Sequence, residues 1–95
     1  MAGKRGENWK IEEARTWMEM YLQNYNRMDE SRLFDQIAHE LGKSHYAAKI
    51  RFQEIKRILG GEYEYPVVTP NFVQVVNETV ESGKFSLGKL KMIFD

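Results

Sequence analysis

The apolar residues of the first half of the chain recur with the period of an α-helix in three successive segments. In the first segment they stand at offsets 0, 3, 4, 7, 8 and 11, which places them on one side of a helix. Glu12 and Glu13 precede most of them, where the positive end of a helix favours acidic side chains. The predicted inward residues are Ala14, Trp17, Met18, Tyr21, Leu22 and Tyr25.

Two further helices are predicted on either side of a short turn. Asp29 or Glu30 stands near the start of the second helix, and Gly42 ends it where a left-handed residue is usual. Ser44 then caps the third helix, which runs from about residue 45 to the Gly60–Gly61 pair. The predicted inward residues are Leu33, Phe34, Ile37, Ala38 and Leu41 in the second helix, and Ala48, Phe52, Ile55 and Leu59 in the third.

The chain divides into four parts on this pattern. Residues 1–8 are an unpatterned arm that we expect to be flexible, and residues 9–59 form the three-helix domain. Residues 60–69 are a linker, extended in part, and residues 70–95 are a helical extension that begins at the Thr69–Pro70 start signal. The predicted fold class is therefore all-α.

The extension contains more large apolar residues than two short helices can bury against each other. One interpretation is that they extend the core by packing on the first or third helix. The other is that residues 66–95 form a homodimer interface, which suits a protein that binds two half-sites. The sequence does not separate these alternatives.

The net charge of zero conceals a local excess of positive charge. Residues 43–57 contain five basic side chains and one acidic side chain, whereas residues 60–95 contain three basic and five acidic ones. A neutral chain is not a general polyanion binder, because nonspecific DNA affinity comes mainly from phosphate neutralisation. We therefore expect at most one small basic face, on the third helix.

The composition and spacing of residues argue against several classes of protein. The chain has no cysteine, and His39 and His45 lie in different predicted helices without a third ligand at metal spacing. The carboxylates fall on solvent-facing positions, and no nucleophile with a matching base is evident. We expect no enzyme, cofactor or metal. We also expect no membrane span and an intracellular location.

Residues 9–59 resemble the Myb/SANT family of tri-helical helix-turn-helix domains. The resemblance rests on Phe34-Asp35-Gln36-Ile37-Ala38-His39-Glu40-Leu41, similar to the family's Trp-x-x-Ile-Ala-x-x-Leu, and on Leu41-Gly42-Lys43-Ser44 followed by Ala48 and Arg51-Phe52. Trp9, Phe34 and Phe52 would be the three spaced aromatic residues. The chain departs from the family pattern in three ways: phenylalanine replaces the second and third tryptophans, Lys10 stands at the usual Ser/Thr cap, and the first aromatic interval is 25 residues.

The resemblance implies a small DNA-binding protein, a transcriptional regulator, that inserts the third helix into the major groove of double-stranded DNA. Its register assigns Tyr46, Lys49, Ile50 and Gln53 to base contacts. Phosphate contacts would come from Lys43, His45, Arg51, Lys56 and Arg57. Lys4 and Arg5 would follow the minor groove as a basic arm.

Two other functions remain open at this point. A SANT-type protein-interaction module is favoured by Ile50 and Ile58, which fall off the inward stripe and indicate either a protein partner at the third helix or cover by residues 60–95. A viral or mobile-element factor that binds a host protein is a further alternative. Where residues 66–95 pack decides among them, because an extension that covers Tyr46, Lys49, Ile50 and Gln53 would block the groove-facing side.

Overall fold

The computed structural model describes residues 9–64 and 68–95, and it places five α-helices and no strand in them. The helices are α1 (Ile11–Asn24), α2 (Glu30–Leu41), α3 (His45–Leu59), α4 (Pro70–Glu81) and α5 (Leu87–Ile93). The predicted all-α class and the order of the five helices are confirmed. The predicted arm, residues 1–8, and residues 65–67 of the predicted extended segment lie outside the described residues.

Local hydrogen bonds explain where α1 and α2 begin. The Lys10 backbone N–H donates to the Glu13 carboxylate at 2.9 Å, which is the contact that the acidic residue of a capping box makes with the N-cap residue. The Asp29 carboxylate accepts from the Ser31 N–H at 3.1 Å and starts α2. Both contacts also bring negative charge to a helix N-terminus, where the dipole stabilises it.

The turn between α2 and α3 has the predicted chemistry. Gly42 adopts a left-handed conformation with φ of 67°, which costs glycine little because it has no Cβ. The Lys43 N–H donates to the Ala38 carbonyl at 2.9 Å and closes the end of α2. Ser44 Oγ accepts from the Ala47 N–H at 3.0 Å and caps α3. A three-residue turn therefore fixes the path from α2 into α3.

Trp17 of α1 lies at the centre of the core and touches every other helix. Its indole N–H donates to the Ala48 carbonyl of α3 at 2.9 Å. Its ring centroid lies 6.5 Å from that of Phe34 in α2, 6.4 Å from that of Phe72 in α4 and 6.2 Å from that of Phe94, the C-cap residue of α5. Trp17 is fully buried, and its polar atom is satisfied, so the indole adds no unpaired donor to the core.

The C-terminal helices extend this core, which is the first of the two alternatives for residues 66–95. α4 packs on α1 and α3, and α5 packs on α3. The Phe94 ring lies 4.9 Å from the Tyr21 ring and 5.3 Å from the Phe52 ring. The buried residues of this part of the chain are Val68, Phe72, Val75, Val76, Leu90 and Phe94. The apolar surplus that suggested a dimer interface is largely used inside one chain.

Tyr21 and an exposed ion pair add polar links around this core. Burial, followed by the charge and hydrogen bond of Glu30, raises the pKa of Tyr21 well above its ordinary value. On the surface, Arg15 of α1 donates two hydrogen bonds to Glu78 of α4, at 3.0 and 2.8 Å. The hydrogen bond from Arg15 lowers the pKa of Glu78 to about 2. Because this pair is exposed, solvent screens it, and it contributes little to stability.

Replacement of Phe94 tests whether α5 belongs to the core. Phe94→Ala removes a ring that is 1% exposed, and we expect it to lower the free energy of unfolding by about 3–5 kcal/mol. The control is Met92→Ala in the same helix, where the side chain is 78% exposed and the expected change is within about 0.5 kcal/mol. Urea unfolding followed by circular dichroism measures both. Equal midpoints for the two variants would contradict the packing of α5.

Candidate nucleic-acid interface

One side of α3 is left uncovered by the other four helices, and we call it the open face. It consists of Tyr46, Lys49, Ile50, Gln53, Lys56 and Arg57. These positions follow one another at helical spacing, so they form a single stripe along the helix. All are exposed except Ile50, which is half-buried, and Tyr46, at 70%, is the most exposed aromatic side chain in residues 9–64 and 68–95. The predicted base-contacting residues therefore share one surface.

The open face is basic. Lys49, Lys56 and Arg57 supply three positive charges, and the stripe itself contains no carboxylate. Arg57 lies 3.5 Å from the Glu62 carboxylate, but both side chains are more than half exposed. An exposed pair at this distance is weak, so Arg57 is free to exchange Glu62 for another anion. The arrangement suits an acidic partner.

Arg51 does not belong to this face, and its assignment as a phosphate contact is wrong. Its side chain is 16% exposed, and its guanidinium lies 2.7 Å from the Glu54 carboxylate. The same guanidinium lies 5.5 Å from the ring centroids of both Trp9 and Phe72. Arg51 is thus held between aromatic rings and a carboxylate by cation–π and ionic attraction, away from any external phosphate.

Glu54 is the second departure from the sequence prediction, which placed the carboxylates in solvent. It is 5% exposed, and one of its carboxylate oxygens accepts hydrogen bonds from the Thr69 N–H and from Thr69 Oγ1, the latter at 2.8 Å. Thr69 is the N-cap residue of α4. Arg51, Glu54 and Thr69 therefore form a buried polar link between α3 and the start of α4, which we call the α3–α4 clamp.

Ile58 is also buried, which agrees with cover by residues 60–95 and not with the alternative of a contact to a protein partner. Its side chain is 2% exposed and belongs to the core. Ile58 stands four residues after Glu54 and therefore on the same side of α3. The start of α4 is tied to that side through Thr69, and α4 covers it. Of the two isoleucines, Ile50 alone remains a candidate contact for a protein partner on α3.

Lys43 and His45 flank the N-terminal end of α3 and are already engaged. Lys43 Nζ lies 3.5 Å from the Glu13 carboxylate and 4.9 Å from the centroid of the Trp9 ring. His45 Nδ1 lies 2.6 Å from the Asp35 carboxylate. Either side chain would have to leave its carboxylate before it contacted a phosphate, so neither belongs to the open face.

A concave surface lies elsewhere on the molecule, between α1 and α4. This groove has a volume of about 510 Å³ and an apolar floor that includes Met18, Leu22 and Phe85. Its hydroxyl groups are engaged within their own segment, since Thr79 Oγ1 donates to the Val75 carbonyl and Ser82 Oγ to the Thr79 carbonyl. Its lining also includes the charged side chains of Arg15, Glu19, Glu78 and Lys84, of which Arg15 and Glu78 are paired with each other.

Within residues 9–64 and 68–95, no helix has both the length and the apolar character needed to cross a membrane. The same residues contain no group of three or more histidine, cysteine or acidic side chains placed to hold a metal ion. The sequence pattern missed the α3–α4 clamp. The three-residue spacing of Arg51 and Glu54 was its only available signal, and that spacing is common on exposed helices.

Comparison with known proteins adds no further constraint: the chain matches no protein-family model, no curated protein and no solved structure.

Removal of Glu54 tests the clamp. Glu54→Ala leaves the Arg51 guanidinium buried without a counter-charge and removes the acceptor for Thr69, so we expect a loss of about 3–5 kcal/mol in the free energy of unfolding. Glu62→Ala, which breaks the exposed pair with Arg57, is the control with an expected change of at most about 1 kcal/mol. Chemical denaturation measures both. The clamp is refuted if Glu54→Ala is no more costly than Glu62→Ala.

Proposed function

We propose that this chain is a small protein that binds double-stranded DNA and regulates transcription, and that residues 9–59 form a Myb-like domain whose third helix, α3, enters the major groove. The observation that carries the proposal is the open face. It joins an uncovered helix surface to three positive charges, and it follows a tight turn from a preceding helix. A recognition helix in DNA-binding proteins has these properties.

The dimensions of the open face fit a duplex. Its residues from Tyr46 to Arg57 span about 16 Å at a rise of 1.5 Å per residue. The major groove is about 12 Å wide, which admits one α-helix with its side chains. At about 3.4 Å per base pair, the open face covers four to five pairs. One copy of the chain therefore reads a short site.

The base contacts belong to the N-terminal and central parts of the open face. Lys49 carries donors that pair with the O6 and N7 acceptors of guanine, and the Gln53 amide pairs with the N6 and N7 of adenine. Ile50 offers only apolar contact, which suits the methyl group of thymine. Tyr46, at the start of α3, lies where a groove-bound helix approaches base edges.

The phosphate contacts belong to the C-terminal part. Lys56 and Arg57 are exposed and stand side by side on the open face. Contacts of this type position a protein on the duplex without reading sequence, and they make affinity depend on salt. Arg51 takes no part in this proposal, because it is buried in the α3–α4 clamp. Because few cationic side chains of α3 are free, the electrostatic contribution of this helix to DNA affinity is modest.

One observation favours a second candidate, a protein-interaction module. Tyr46 is 70% exposed beside the half-buried Ile50, and a tyrosine with an adjacent apolar side chain is a frequent anchor at protein interfaces. The charge of the remaining open face limits the choice to an acidic protein partner. Binding to duplex DNA would use the whole open face, whereas binding to a protein would mainly use its N-terminal end.

Charge removal from the open face tests DNA binding. In Lys56→Gln/Arg57→Gln, the slope of log affinity against log salt should fall in magnitude by about 1.8, since each lost phosphate contact accounts for about 0.9. Fluorescence anisotropy with random-sequence duplexes, from low to moderate salt, measures this slope. The matched control is Lys84→Gln, because Lys84 borders the groove between α1 and α4.

The outcomes separate the two candidates. DNA binding by the original chain, weakened in the double variant and preserved in Lys84→Gln, supports the proposal. No binding at low salt, or equal slopes for all three proteins, rejects it. If the chain ignores DNA but captures a protein in a complex that Tyr46→Ala disrupts, the interaction module replaces it.

A further inference from the structure

α5 runs beside α3 in the opposite direction. At its start, Leu87 lines a cavity of about 200 Å³ together with Ile58 and Leu59 from the end of α3. At its end, Phe94 packs against Phe52, about two turns earlier in α3, with ring centroids 5.3 Å apart. The two contacts fix both the direction of α5 and the side of α3 on which it lies.

That side of α3 borders the open face. Phe52 stands three residues after Lys49 and four before Lys56, so all three lie in adjacent rows of the helix surface. Packed helices lie about 8–10 Å apart. α5 therefore lies beside the Lys49–Lys56 edge of the open face. If α3 occupies a major groove, one wall of that groove passes next to α5.

The two lysines of α5 lie on opposite flanks of the helix. Leu90 and Phe94 form its buried row. Lys91 follows Leu87 by four residues and shares its flank, while Lys89 precedes Ile93 by four residues and shares the other. Because Leu87 faces the end of α3, the Lys91 flank is the one turned toward α3 and its open face. The Lys89 flank is turned away from it.

We propose that Lys91 is a phosphate contact of the DNA interface, placed so that α5 and α3 hold the same duplex. This inference rests on the proposed function and extends its surface beyond α3. With α3 in the groove, the backbone strand on the Lys49–Lys56 edge passes beside α5, within reach of a flexible lysine side chain. Lys91 is exposed, and it takes part in no ion pair among residues 9–64 and 68–95.

Asp95 sets a limit on the strength of this contact. It is exposed and lies two residues beyond the end of α5, four residues after Lys91 in the sequence. Its negative charge opposes that of Lys91 toward a phosphate. Removal of Asp95 and removal of Lys91 should therefore change DNA affinity in opposite directions. The direction of each change serves as a control within the same experiment.

The experiment compares single substitutions in the full chain. Lys91→Gln should reduce the magnitude of the salt slope for a random-sequence duplex by about 0.9, the value of one phosphate contact. Lys89→Gln is the matched control, with the same charge change on the other flank and an unchanged slope. Asp95→Asn should raise the affinity. Thermal unfolding of each variant verifies that the fold is intact, as expected for exposed positions.

The possible outcomes test the contact assigned to Lys91 separately from the function proposed for α3. A reduced slope for Lys91→Gln beside an unchanged slope for Lys89→Gln supports the inference. If the original chain binds DNA and both lysine variants retain its slope, or both lose equally, the contact assigned to Lys91 is wrong while the function of α3 stands. If the original chain binds no DNA at low salt, the proposed function fails and this inference fails with it.

Discussion

The burial of the Trp17 indole is the interaction on which the arrangement of the five helices depends. Its ring packs against aromatic rings from α2, from α4 and from the C-cap of α5, and its N–H donates to a backbone carbonyl of α3. A side chain that touches four other helices couples their positions. α4 and α5 are therefore not an appendage to a three-helix domain, because they complete the shell around its central residue.

The shape of the candidate interface follows from that packing. α4 covers one side of α3 and is tied to it through the α3–α4 clamp, which draws Arg51 and Glu54 into the interior. α5 covers the opposite edge through Phe52 and Phe94. The side of α3 that remains uncovered is the open face. Glu54, the acidic residue of α3, is buried and does not contribute to it. The basic character of the open face is thus a product of tertiary packing as much as of composition.

The sequence was sufficient for the features that depend on local chemistry. Apolar spacing predicted α1 and α2, and Gly42 and Ser44 predicted the turn before α3. It was insufficient for Arg51, Glu54 and Ile58, since their environment depends on where α4 docks, and helix period alone gives no docking position. The same limit hid Lys91, whose relation to the open face exists only because α5 runs back along α3.

The most direct test of the account is a residue-resolved map of the surface that duplex DNA touches. ¹H–¹⁵N correlation spectra of the chain, recorded during titration with a short duplex at low salt, provide this map. If α3 binds the duplex, the largest shift changes should fall on the open face, from Tyr46 to Arg57, and extend to Lys91, while the groove between α1 and α4 stays unaffected. Changes centred on that groove, or none at all, would contradict binding by α3.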